Sequence, residues 1–215
     1  METPKKQKPA PMERVRNLSQ LFTDLLILNL FWLVTSLPVL TLGASSSAAY
    51  AVLLRYVRDG DAPVAKTFFR SFRENFLQAT ALWLLAVLFG AVVLLDWRLA
   101  GTMAGGLQTL YSFLAILLAV AVAVILTLAI PIQAYFQNTL GNILKNAFAM
   151  AFCAPGRMIC VWLIWAAEGA FCILVPFEIV ARAAILLLLW GFALPAWLAS
   201  GQILKIFRLF VPGES

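Results

Sequence analysis

From residue 107 to residue 130 the sequence reads LQTLYSFLAILLAVAVAVILTLAI, twenty-four positions without one charged side chain. A chain with such a run has few options. As an α-helix it reaches about 36 Å, enough to cross a hydrocarbon layer of about 30 Å. A barrel strand would alternate polar and apolar residues, and this run does not. Similar blocks, rich in Leu, Ala, Val and Trp, occupy about 21–42, 76–95, 158–177 and 183–204. They bring the hydrophobic share to 63%, against roughly 45–50% in soluble domains, and the mean hydropathy to +0.92. The expected fold is all-α, a polytopic membrane helical bundle. One integral membrane domain, 18–210, lies between a flexible basic cytoplasmic tail, 1–17, and a short cytoplasmic C-terminal tail, 211–215. The first block has no small-residue cleavage pattern in a suitable place, so it reads as a retained helix rather than a signal peptide.

The net charge of +6 does not point to nucleic acid, because the basic residues border the apolar segments, where orientation signals sit. Three cysteines, Cys153, Cys160 and Cys172, have neither an even count nor a CxxC spacing, which argues against a disulfide framework or a metal site. The chain has no histidine. With no Ser-His-Asp set, no metal-ligand cluster and no phosphate-cradling glycine loop, no enzymatic activity and no cofactor are expected.

Residues 37–58, LPVLTLGASSSAAYAVLLRYVR, decide the topology. Pro38 and Gly43 interrupt the apolar run, and seven small residues follow from Gly43 to Ala49. A helix over 44–57 is about 21 Å long, short for an upright span but acceptable when packed against neighbours. If it crosses back, fourteen of the sixteen Lys/Arg lie on one side: five in the tail, five between Arg55 and Arg73, then Lys145, Arg157, Lys205 and Arg208. If it does not, the split is nine against seven. The positive-inside rule therefore favours six membrane segments, the second one short, with both termini cytoplasmic.

Two further segments read as cytoplasmic interfacial amphipathic helices. The first, 63–75, sets Phe68, Phe69 and Phe72 near one face and Lys66, Arg70 and Arg73 on another, with Asp61 as its expected cap. The second begins at Pro131. Its Phe136, Leu140, Leu144 and Phe148 recur every four residues, and Asn138, Asn142 and Asn146 share a different face.

Three motifs carry a resemblance: NLFWLVTSLPVLTLGASSSA at 29–48, FFRSFRENFLQAT at 68–80, and a looser FQNTLGNILKNA at 136–147. Together they resemble the YesL family of bacterial membrane proteins, also called the domain of unknown function 624 family, over nearly the whole chain after the tail. The family has no established activity and supplies no catalytic residues. Its members are often encoded beside sugar-import ABC transporter genes. The resemblance implies the bacterial cytoplasmic membrane and a setting in carbohydrate uptake, with no mechanism.

Glu168 is the sharpest single candidate for function. A carboxylate in mid-span costs about 2.5–3.5 kcal/mol on insertion scales, so it should face the bundle interior or water and find a partner. It reads either as a proton-coupling or substrate-contacting group, or as a buried carboxyl bonded to another helix, with Asn29 and Gln78 as available partners. Gly43, Ser45, Ser46 and Ser47 read as a close-packing face, or as a helix break lining a small cavity. Phe68, Phe69, Arg70 and Arg73, with Asn138, Asn142 and Asn146, are candidates for docking a partner, the bland alternative being a wet or lipid-facing helix surface. Two functions follow as expectations. One is an accessory or assembly factor bound to the permease or ATPase subunits of a carbohydrate ABC importer. The other is a small transporter or channel-like protein with Glu168 in its pathway. Beyond the lipid bilayer, a second copy of the chain is a further expected partner.

Overall fold

The computed structural model describes residues 11–102, 105–136 and 138–210. Among them every regular element is helical: α1 (Pro11–Ser36), a 3₁₀ turn at Val39–Thr41, α2 (Leu42–Asp59), α3 (Val64–Ala100), α4 (Gly106–Tyr135), α5 (Leu140–Cys153), α6 (Pro155–Leu174), α7 (Phe177–Trp190) and α8 (Ala193–Phe210). Helix α1 starts inside the segment expected to be a flexible tail. The rest of that segment and the C-terminal tail lie outside the described residues.

Among the described residues four helices are long and apolar enough to cross a membrane: α3, α4, α6 and the Ser19–Ser36 part of α1. The pair α7 and α8, bent by 44° at its break, makes a fifth if it counts as one span. The expected six spans thus reduce to four or five by length and composition. The missing one is α2, whose 18 residues reach about 27 Å and include three serines, two arginines and an aspartate.

Helix α2 nevertheless runs back along α1. Near one end the Trp32 indole donates to Ser46 Oγ at 3.2 Å. Near the other, the side chains of Asp24 and Tyr56 are hydrogen-bonded. The two helices are therefore antiparallel, joined by the turn in which Thr41 Oγ1 donates to the Thr35 and Pro38 carbonyls. Gly60, at φ 81°, closes α2 in the left-handed conformation that glycine adopts without strain. The core lies around α2, which touches α1, α3, α4 and α8. Ten of its residues are buried, more than in any other helix among the described side chains.

Helix α3 corrects one expectation. Residues 63–75 are not a separate interfacial helix but the first turns of a 37-residue helix about 55 Å long. No glycine or proline interrupts the chain between Pro63 and Gly90, so nothing stops the helix where it leaves the apolar layer. It begins with Pro63 at the N-cap position and no side-chain cap, so Asp61 does not have the expected role. Pro131 corrects another. It lies buried inside α4, which continues for one more turn to Tyr135. A proline removes one ladder bond, and close packing compensates it there. The second amphipathic helix is accordingly shorter, α5, and Asn138 precedes it.

Contacts gather the charged termini at one end. Arg58 lies over the Tyr135 ring, 5.7 Å from its centroid. Tyr135 meets Phe207 at 5.2 Å, and an Arg157 guanidinium nitrogen donates to the Lys205 carbonyl. This charged end therefore unites the last turns of α2, α4 and α8 with the start of α6.

Candidate functional site: a broken span and a charged cleft

Polar groups in the apolar layer must be satisfied within the protein. The break between α7 and α8 frees several, and Asn29 of α1 meets them. Its Nδ2 donates to the Leu188 carbonyl at 2.8 Å, and its Oδ1 accepts from the Phe192 and Ala193 amides at 3.1 and 2.9 Å. Pro195 stands in the first turn of α8, where a missing N–H is harmless. Phe192, at the break itself, stacks on Trp32 with centroids 4.2 Å apart and planes at 3°. Tyr50 and Trp165 close around the same ring. The expected helix break near 38–47 is instead a turn at the end of the bundle, and the break within the apolar layer is at residues 191–192.

Glu168, on α6, is half-buried. It lines two clefts, of about 730 and 760 Å³. The first includes Asn29, Trp32, Trp165 and Phe192; the second includes Phe22, Phe171, Trp190 and Leu194. Apart from Asn29 and Glu168, the linings are apolar or aromatic. Asn29 thus shares a cleft with Glu168, but its hydrogen bonds described above go to the backbone of α7 and α8. Gln78 is elsewhere, at the charged end. The expected Glu168–Asn29–Gln78 group does not assemble.

The small-residue stretch divides. A Cβ added at Gly43 would collide with the Ala79 carbonyl and lie 2.7 Å from Trp83 Cβ, so α2 and α3 touch backbone to backbone there. Ser45 and Ser47 are fully buried, and their hydroxyls have no partner among the described residues. Ser46 alone faces open space, a cleft of about 660 Å³ that also includes Tyr50, Thr127, Trp162 and Phe192.

Of the docking candidates, Phe68 is buried completely, packed on Phe31 and Phe72. Phe69 is half exposed, and Arg70 and Arg73 are exposed. Asn142 is exposed and Asn146 half-buried on α5, while Asn138 contributes its carbonyl to Gln78. The three asparagines therefore do not form one helical face.

The charged end holds a site that sequence reasoning missed. Gln133 Nε2 donates to Asn75 Oδ1 at 3.2 Å and to Gln78 Oε1 at 2.7 Å. Asn75 Nδ2 donates on to Ser71 Oγ, and Gln78 Nε2 to the Asn138 carbonyl. This chain of amides ties α3 to α4 and floors a cleft of about 250 Å³ reached by Arg55, Arg58, Arg70 and Glu74. Arg58 grips Asp59 through Nε at 2.8 Å and Nη2 at 3.1 Å. That contact holds the Asp59 carboxyl below its ordinary value and pushes Arg58 up. The available signal was the presence of Asn75, Gln78 and Gln133 beside apolar runs, where each amide needs a partner.

No curated protein and no solved structure matches the chain. Residues 25–97 match the family model described as a protein of unknown function, DUF624. That stretch takes in the first two sequence motifs and ends before the third; in the structure it runs from within α1 to near the end of α3. The matched stretch thus takes in most of the hairpin of α1 and α2, the backbone contact at Gly43 and most of the long α3, within a multi-span membrane protein that is similar there to the DUF624 model.

Proposed function

We propose that the protein is a membrane-embedded accessory or assembly factor, that its charged end faces the cytoplasm, and that this end docks a carbohydrate ABC importer. One observation carries the reading: polar and charged groups concentrate at the charged end, while the clefts at Glu168 are walled by apolar side chains. A path for sugars would need convergent hydrogen-bonding groups. Phe69 and Arg73, exposed on the first turns of α3, offer an apolar anchor beside a charge, the composition favoured at interfaces.

A mild-detergent pull-down from native membranes with mass spectrometry tests the docking. Permease or ATPase subunits of a carbohydrate importer are expected with the parent chain and lost with Phe69→Ala plus Arg73→Glu. Cysteine labelling tests the orientation, in a chain whose Cys153, Cys160 and Cys172 are replaced. Probes at Asp59 and Leu37 should react from opposite sides; reaction from the same side removes the return crossing by α2.

The second reading, transport through Glu168, is favoured by the broken span beside it, since broken helices line solute sites in many transporters. Solute flux into liposomes by the pure protein, abolished in Glu168→Gln, would establish it over the first.

A further inference from the structure

The charged-end cleft contains an unmet acceptor and an unmet donor. Gln133 is 3% exposed. Its amide nitrogen lies between two acceptors, Asn75 Oδ1 and Gln78 Oε1, which fixes the NH₂ on that side. Among the described residues Gln133 Oε1 is left buried with no partner. Arg55 Nε is also buried without a hydrogen bond; its ion-pair contact with Asp59 is 3.7 Å, beyond hydrogen-bonding distance. Arg70 makes no ion pair among the described residues. A buried polar atom left unpaired is costly, and here the two residues concerned both line one cleft between α2, α3 and α4.

The charges narrow the ligand. Three arginines reach the cleft, and Glu74 lies on its lining. Asp59 binds Arg58 at the edge. Three cations against two carboxylates leave an excess of positive charge, suited to an anion. Guanidinium groups match phosphate oxygens in paired hydrogen bonds. An acceptor beside them calls for a donor on the ligand, such as a hydroxyl next to the phosphate. The cleft also lies beside the charged first turns of α3, at the end of its apolar run, a position at which basic pockets between helices hold lipid head groups.

We propose that this cleft binds a phosphate ester bearing a free hydroxyl, with Arg55 and Arg70 on the phosphate and Gln133 Oε1 accepting from the hydroxyl. The ester is either the head group of an anionic lipid or a small soluble glycerol or sugar phosphate. This site stands apart from importer docking, because its ligand binds with no second protein present.

The test uses the purified full chain in phosphatidylcholine nanodiscs. One arm adds phosphatidylglycerol, or phosphatidylmethanol, which has the same charge and no hydroxyl, and counts bound lipid by native mass spectrometry. The other adds glycerol 3-phosphate and follows melting temperature. Saturable binding of phosphatidylglycerol, roughly fivefold tighter than of phosphatidylmethanol, assigns the lipid source. Stabilisation by glycerol 3-phosphate assigns the soluble one. In either case Arg55→Gln with Arg70→Gln should weaken binding at least about tenfold, while Arg73→Gln, exposed and outside the lining, should not. Binding unchanged in the double variant overturns the proposal, as does equal retention of both lipids together with no stabilisation by glycerol 3-phosphate. The comparison of the two lipids uses the parent chain, so the hydroxyl requirement is read without disturbing the core.

Discussion

Helix α2 and helix α4 are built from opposite materials and placed in opposite surroundings. Helix α4 has an uncharged window of mean hydropathy 3.1, and its buried residues lie only between Leu128 and Gln133. Helix α2 carries serines, arginines and an aspartate, and is the most enclosed helix of the bundle. In water the apolar helix would be the buried one. In a bilayer lipid solvates leucine as well as protein does, so burial is governed by closeness of fit and by polar groups that need partners. The small residues of α2 let backbones touch, and the large residues of α4 face lipid.

Substitutions can break this contrast. The largest effect is expected from Gly43→Leu, whose side chain would have to displace the α3 backbone at Ala79. A loss of about 3 kcal/mol or more is expected, read as a lowered melting temperature in detergent. Leu117→Ala on α4, more than half exposed, should cost no more than a few tenths of a kcal/mol, since it removes little packing. Equal effects at the two positions would refute the contrast. Next comes Asn29→Ala, which strips partners from three backbone groups at the α7–α8 break. About 2–3 kcal/mol is expected, with increased hydrogen exchange at Phe192 and Ala193.

Ser46→Ala should cost about 0.5–1 kcal/mol, the worth of one bond from Trp32, visible as a shift in tryptophan fluorescence. Asp59→Asn is the smallest. Because Arg58 holds the folded carboxyl below its ordinary 3.8, the contribution is present above that value and fades as pH falls through the lower folded one. Both side chains are about 40% exposed, so screening leaves a few tenths of a kcal/mol. Melting curves of parent and variant should differ at neutral pH and converge well below pH 3.8.

Much of the bundle was legible in advance, because an uncharged run of twenty residues has one stable form in lipid. The arginines that border α2 suggested a return crossing; the structure shows α2 packed antiparallel to α1, while its length and composition leave it outside the candidate spans. Two boundaries were not. Arg70, Arg73 and Glu74 look like a surface helix, yet a helix can leave the membrane without a break, and only a breaker residue would have marked one. Pro131 looked like a start because proline usually interrupts helices, and its tolerance depends on the packing around it. The charged cleft was hidden for a different reason. Gln133 finds Asn75 and Gln78 across 58 and 55 residues, and no local pattern encodes that meeting. Asn29 was legible as a polar group needing a partner, but the partner is backbone, exposed only because the final span is broken.

The bond from Asn29 to the α7–α8 junction also has a consequence for how the protein is made. The first helix enters the membrane long before the last pair has been synthesised, and its amide then lacks the three groups that later hold it. The last pair in turn arrives with backbone groups that lipid cannot satisfy. Assembly therefore has a closing step in which the two ends of the chain complete each other. A chain cut before residue 188 would retain the hairpin of α1 and α2 and the charged cleft but lose that latch, leaving the Asn29 amide in the bilayer without those partners.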